Sequence, residues 1–422
     1  MDIKIRLTIL NFLEFAIWGA YLTSMSRYLI TAGLGDHISY FYSVQGFVSL
    51  FMPALMGIVA DRWIQAQKTL SFCQLMAGAA MIAAALYGQS AGANVSFSIL
   101  FTIYTISIAF YMPTVALTSS VAYTALEGAG LDTVKAFPPI RVFGTIGFII
   151  SMLFVDWSGL QDKPWQFAVS GFLSVIMALY ALTMPACPTN KGGQKGLAEA
   201  LGLRAFALFK QRKMAVFFIF SMLLGSALQI TNGYANPFIA SFGADEAFAE
   251  TFAVQHANTL ISLSQASETL CILLIPFFLK RFGIKVVMLI SMFAWVLRFG
   301  FFAVGDPGFP GLILLILSMI VYGIAFDFFN ISGSLFVDQE TDLNIRSSAQ
   351  GLFMMMTNGI GASIGMLLAG RIVSHYTYGE VVGGRFYTLG DWSTCWWIFS
   401  SYALVIAILF ALLFRYRHEP GD

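Results

Sequence analysis

Twelve long apolar runs constrain this chain more than any other feature of it. A bilayer core about 30 Å thick takes about 20 consecutive apolar residues in a helix. Such segments lie at roughly 7–31, 39–60, 69–88, 96–122, 141–157, 165–185, 214–240, 252–279, 286–304, 311–337, 347–374 and 393–414. They are too long, and alternate too little, to be strands of a membrane barrel. Only 11% of residues are charged and 58% are hydrophobic, whereas a soluble domain is about 25% charged. The expected fold class is an all-α membrane protein with twelve transmembrane helices. The opening MDIKIR and its apolar run carry no small-residue cleavage site, so they read as a first helix and not a signal peptide.

Charge placement sets the expected orientation. With the N-terminus inside, the termini and even-numbered loops hold seventeen of the 23 basic residues. The odd-numbered loops and adjoining helix ends hold Arg27, Lys163, Arg298, Arg371 and Arg385, and Arg141 opens the fifth segment. Both termini are therefore expected to be cytoplasmic. The net charge of +1 offers no attraction for nucleic acid. Cys73, Cys187, Cys271 and Cys395 lie in or beside apolar runs without a CxxC pair. They read as small buried residues, with no disulfide, metal or cofactor site among them.

The longest polar stretch, Ala186 to Lys213, carries Pro, Gly and six basic residues. It divides the chain into a bundle at 1–186, a cytoplasmic linker at 187–213 and a second bundle at 214–422. Its second half, Leu197 to Phe209, has the pattern of a short amphipathic surface helix. The halves echo one another: GIVADRW (57–63) follows segment 2 and LKRFGIK (279–285) follows segment 8. Two six-helix bundles related as parallel repeats form the major facilitator architecture, with its substrate site near the midplane between them. GIVADRWIQAQK also resembles the loop 2–3 signature of that superfamily. Gly57 would permit close helix approach, Asp61 would accept hydrogen bonds from a neighbouring helix end, and Arg62 and Lys68 would pair with acids or lipid phosphate. Together Gly57, Asp61 and Arg62 read as a conformational latch. The second Gly of the signature is Ile64 here.

Three acids lie at membrane depth. Glu14 is about 12 Å into segment 1 at 1.5 Å per residue, and Glu268 and Asp327 are deep in segments 8 and 10. Intramembrane acids mark proton or substrate paths, or else lock helices together as buried neutral or paired groups. Spacing shows what accompanies them. Gln229 and Asn232 share a face, as do Gln265 and Glu268, Arg141, Thr145 and Phe148, and Tyr322, Phe326 and Asn330. Asp327 is about 100° round from Phe326. A lone amide serves an interhelical hydrogen bond, and Arg141 near an interface can snorkel to phosphate. Four faces that repeat an amide or charge beside an aromatic suit a polar ligand with a flat ring. His256 reads as a surface histidine.

FPPIRVFGTIGF, FFIFSMLLG, LQITN, SQASETL, RFGIKVVM and VYGIAFDFFNISGS resemble the nucleoside–proton symporter family of the major facilitator superfamily. The resemblance runs from the first segment to the last. It implies a twelve-helix inner-membrane symporter that imports nucleosides with protons, and the monomer is the expected working unit. Its substrate contacts fall on Arg141, Thr145, Phe148, Gln229, Asn232, Gln265, Glu268, Tyr322 and Phe326, and an acid at Asp327 is a candidate for coupling. Near members of the family carry Gln where this chain has Glu14, and Asn is frequent at the position of Ser119. Gln45 is also unusual.

On this reading Phe148, Tyr322 and Phe326 pack on base and ribose, worth about 1–3 kcal/mol per stacked base. Gln229, Asn232, Gln265 and Glu268 bond hydroxyls and base edges. Asp327 is the first candidate for the proton carrier, with Glu14 and Glu268 as rivals, because desolvation disfavours an ionised carboxylate. Two other functions remain open from the residues alone. One is a proton-coupled sugar or drug carrier of the same fold. The other is a nucleoside receptor that does not translocate, against which the lack of a signalling domain or long tail speaks. No metal-ligand cluster, GxSxG or HExxH motif suggests an enzyme.

Overall fold

The computed structural model describes residues 2–189 and 203–416. The chain forms two compact units, Met1–Leu201 and Gly202–Asp422. Among the described residues nine helical stretches are long and apolar enough to cross a membrane, and Trp165–Ala181 is a shorter apolar helix. Large apolar side chains stay exposed on the helix faces, Leu179, Leu273, Phe277 and Leu412 among them. On a soluble protein such surface would need a cover. Here lipid is the natural one.

In the first unit α1 (Ile3–Gly19) and α2 (Met25–Thr31) occupy the first apolar segment. One continuous helix was expected there, but turns at 20–24 interrupt it. The carbonyl groups near the break find partners on other helices. The Tyr42 hydroxyl donates to the Leu22 carbonyl (2.5 Å) and the Ser170 hydroxyl to that of Ile17 (2.8 Å). A break at membrane depth is tolerable only with such partners. The second segment is also divided, into α3 (Ile38–Ser49) and α4 (Met52–Arg62), with Pro53 in the first turn of α4. Proline suits a helix start, where its missing N–H costs nothing. Next come α5 (Ala66–Ala91), α6 (Phe97–Gly128), α7 (Thr133–Trp157) and α8 (Trp165–Ala181).

The second unit opens with a 3₁₀ turn at Leu203–Lys210. The first part of the expected amphipathic helix lies outside the described residues, and the remainder is 3₁₀, not α. The long helices are α9 (Arg212–Ser241), α11 (Ala257–Val304), α12 (Gly311–Glu340) and α15 (Trp392–Leu413), with a four-residue α10 (Phe252–Gln255) between α9 and α11. α11 is two helices in one run. Gly283 sits at φ 74°, ψ 168°, which only glycine adopts without strain. The next stretch reads α13 (Leu343–Met354), a π-helical turn (Met355–Gly361) and α14 (Ala362–Tyr376).

One strand pair was not foreseen. β1 (Thr377–Val382) and β2 (Arg385–Gly390) form an antiparallel hairpin, with Val382 opposite Arg385 and Thr377 opposite Gly390. Gly383 and Gly384 both have positive φ, the requirement of a two-residue type I′ turn. The signal was present as VVGGRF between apolar helices.

Two devices hold each unit together. Serine hydroxyls donate across helices to backbone carbonyls: Ser71 to Ala178 (2.7 Å), Ser107 to Ala77 (2.9 Å), Ser291 to Ala325 (2.5 Å) and Ser400 to Val296 (2.8 Å). Small residues let backbones touch. A Cβ added at Gly147 of α7 would run into the Phe12 backbone of α1, and one at Gly225 of α9 would run into that of Thr357. Gly147→Leu should therefore push α1 and α7 apart and cost about 1–3 kcal/mol or more. Thermal unfolding in detergent should show a clearly lowered midpoint, whereas Gly57→Leu, whose added Cβ meets nothing within 4 Å, should leave it nearly unchanged.

Candidate functional site

In the first unit the polar residues converge on Glu14. Its carboxyl group is wholly buried. Thr118 donates its hydroxyl to Oε2 (3.0 Å) and Gln74 donates Nε2–H to the same oxygen (2.9 Å). The Thr114 Oγ1 lies 2.6 Å from Oε1. Tyr111 donates to the Glu14 backbone carbonyl (2.7 Å). Tyr111, Thr114 and Thr118 are spaced for one face of α6, and Gln74 comes from α5 with its own carbonyl bonded by Ser174 of α8 (2.9 Å). Four helices thus meet on one acid.

The hydrogens in this set can be counted. Thr114 Oγ1 is also 2.6 Å from the Tyr111 carbonyl and 3.1 Å from Gln74 Nε2. A hydroxyl has one hydrogen and two lone pairs. It can accept from Gln74 and donate either to the Tyr111 carbonyl or to Glu14 Oε1. The set therefore closes with an ionised Glu14 that accepts from Thr114, Thr118 and Gln74, and equally with a neutral one that donates to Thr114. Glutamine at position 14 would supply an N–H at the same place.

Arg141 lies beside this set, with its guanidinium 3.8 Å from the centre of the Phe15 ring. Arg141 and Thr145 are half-buried and Phe148 is buried. Phe148 is packed at its backbone against Gly19 of α1. Gln45 and Ser119 are held locally: Gln45 Nε2 donates to the Tyr104 hydroxyl (2.7 Å) and Ser119 to the carbonyl of Val115 (3.2 Å). The expected latch differs from its reading in one respect. Asp61 is exposed and Arg62 half-exposed at the end of α4, but Gly57 makes no close helix approach, since its Cβ position faces open space.

In the second unit the expected residues gather around Tyr322. Its ring lies parallel to that of Phe326, 7° between planes and 5.8 Å between centres, as i, i+4 positions of α12 allow. Its hydroxyl sits within electrostatic reach of Gln265, Glu268, Arg298 and Asp327. Tyr322 and Asp327 are buried, whereas Gln265, Glu268 and Phe326 are partly exposed. Asn330 turns its amide to the Phe326 carbonyl (3.1 Å). On α9 the Asn232 amide donates to Gln229 (3.3 Å). Among the described residues no hydrogen bond joins that pair to the Tyr322 group.

Sequence reasoning missed three contributors here. Arg298 was counted as a helix-end charge, but it is fully buried with its guanidinium 4.7 Å from the Tyr322 ring centre. Trp295, one turn earlier, meets the same ring edge-on at 6.1 Å and 90°. Asn358 of the π-turn lines a small pocket with Phe326, Asn330 and Thr357. A π-turn interrupting a helix is frequent at functional sites, but no local residue pattern announces one. No group of metal-ligating side chains occurs among the described residues.

The hydrogen count at Glu14 gives a testable contrast. Glu14→Gln should fold and transport like the unaltered protein. Glu14→Ala should strand buried donors on Gln74 and Thr118 at about 1–3 kcal/mol each. Thermal unfolding and uptake by both variants check this, and equal damage from the two would refute a neutral Glu14.

Comparison with known proteins identifies the family. The Nucleoside H+ symporter family model matches residues 1–419. The xanthosine permease of Escherichia coli (strain K12) is 46% identical over 423 residues, covering 100% of this chain and 98% of the permease. The nucleoside permease NupG of the same organism is 46% identical over 421 residues, covering 99% of this chain and 97% of NupG. A crystal structure of a NupG point variant superposes with a TM-score of 0.91 at 46% identity, covering 98% of this chain and 100% of that one. From end to end, the chain belongs to the Nucleoside H+ symporter family.

Proposed function

We propose that this protein imports nucleosides together with protons across a bacterial inner membrane by alternating access. The observation that carries the reading is the family match over residues 1–419. The grouping of Gln265, Glu268, Tyr322, Phe326 and Asp327 in one unit accords with it.

The helices are read as twelve spans, with α1–α2, α3–α4 and α13–α14 each one interrupted span and α11 two spans joined at Gly283. The bundles are 1–186 and 214–422, joined by a cytoplasmic linker at 187–213, with both termini cytoplasmic and the monomer as the working unit. Broken helices suit substrate sites in transporters, since freed backbone groups are tolerated where they have partners or line a cavity.

Tyr322 and Phe326 offer parallel flat faces to base and ribose, with Phe148 as a further aromatic contact. Arg141, Thr145, Gln229, Asn232, Gln265 and Glu268 supply hydrogen bonds to hydroxyls and base edges. A site made of hydrogen-bonding groups rejects analogues that leave those groups unpaired. Asp327 carries the coupling proton in this reading, with Glu268 beside it. Glu14 is stationary in this reading, since a glutamine at that position would keep the same hydrogen-bond set. Asp61 and Arg62 act at the membrane surface as part of the latch.

Uptake of radiolabelled uridine into vesicles tests the function. An inward proton gradient should drive accumulation above equilibrium, and collapsing the gradient should abolish it. Gradient-independent uptake, or none, would defeat the proposal. Asp327→Asn should bind uridine but only equilibrate it. A variant that still concentrates uridine would remove Asp327 from the coupling step.

A further inference from the structure

Arg298 is the one fully buried basic residue among those described. Placing a guanidinium there is costly unless it is paired. No carboxylate forms a direct ion pair with it among the described residues. Its Nη1 donates to the Ser318 carbonyl (2.6 Å) and to the Ser264 hydroxyl (3.3 Å), and Ser318 returns a bond to the Arg298 carbonyl (3.0 Å). Its Nε makes no hydrogen bond. The rest of its compensation comes from ring faces, Tyr322 at 4.7 Å and Phe302 at 5.3 Å. A methionine would fill the same space without the desolvation cost, and buried ionic groups exchanged for apolar ones of similar volume often gain stability. Stability alone is thus a weak reason for this arginine.

Its contacts point elsewhere. Arg298 ties together the first half of α11 through Ser264, the second half through its own backbone, and α12 through Ser318 and Tyr322. Trp295 meets the Tyr322 ring edge-on. Arg298 and Trp295 thus restrain the ring at its face and its side. The planar guanidinium suits this task as an ammonium would not, because it stacks on a ring while donating in its own plane.

We propose that Arg298 is a positioning residue for nucleoside binding, which fixes the Tyr322 ring against which the substrate's flat ring packs. The inference rests on the proposed function, and its test separates the two. Uptake and equilibrium binding of uridine are measured on purified, reconstituted protein and normalised to folded transporter. Arg298→Met should raise KM and the dissociation constant about thirtyfold, the worth of a desolvated cation–π contact, with the maximal rate per folded transporter little changed. Arg298→Lys keeps the charge without the planar fork and should fall between. In a Tyr322→Leu background Arg298→Met should add nothing further, since the residue through which it acts is gone.

An Arg298→Met protein with unaltered KM, or one whose effect adds in full to that of Tyr322→Leu, would overturn the proposal. Should Arg298→Met fail to fold, the same comparison with Arg298→Lys decides it. Loss of thermal stability with KM unchanged in Arg298→Lys marks a purely structural role. If the unaltered protein neither binds nor takes up uridine, the substrate reading itself fails and this inference falls with it.

Discussion

A polar group removed from water must find its partner inside the protein, and the interior of this molecule is organised around that requirement. Lipid-facing side chains of neighbouring helices differ little in polarity, so apolar surface alone cannot tell one helix where to dock on another. Hydrogen bonds can. The Glu14 carboxyl group draws α5, α6 and α8 to α1 through Gln74, Thr114, Thr118 and Ser174. Serine hydroxyls pin further pairs by reaching a neighbour's carbonyl, as Ser107 does to Ala77 and Ser291 to Ala325. Arg298 does the same in the second unit at larger scale, crossing from α11 to α12.

Close backbone approach makes those short bonds possible. Gly147 on α7 and Gly225 on α9 have a neighbouring backbone where a side chain would stand. Helix interruptions follow the same logic. The break after α1 frees carbonyls that Tyr42 and Ser170 take up, and the π-turn at Met355–Gly361 lies against α9 where Gly225 gives it room. The proposed function draws on positions that packing holds rigid. Tyr322 is restrained by Arg298 and Trp295, and in the proposed binding site preorganisation of this kind would lower the cost of binding.

Much of the fold was legible beforehand. The helical stretches fall close to the apolar runs, because hydropathy over 20 residues is a local property. The divided helices were less legible. Pro53 and Gly283 were visible as residues, but whether a proline or glycine bends, breaks or merely sits in a helix depends on what packs beside it. The hairpin at Thr377–Gly390 was missed because a search for membrane spans passes over short polar segments. At the site, helical spacing put Gln265 and Glu268 on one face of α11 and Tyr322 and Phe326 on one face of α12, but it could not say which faces meet. Gly57 faces open space instead of a neighbouring helix, because a motif's residue type does not say what stands opposite it.

The sequence by itself determined where helices form, which faces carry amides, aromatics and acids, and, through its resemblance, the family. These follow from the 3.6-residue period and from the cost of burying charge, both of which act along the chain. The tertiary structure decided the partners. Only there does Glu14 acquire a closed set of donors and acceptors, and only there does Arg298 change from a helix-end charge into a buried cation on the face of Tyr322. Contacts between helices far apart in sequence depend on rotation and depth within a bundle. No local pattern of residues records either.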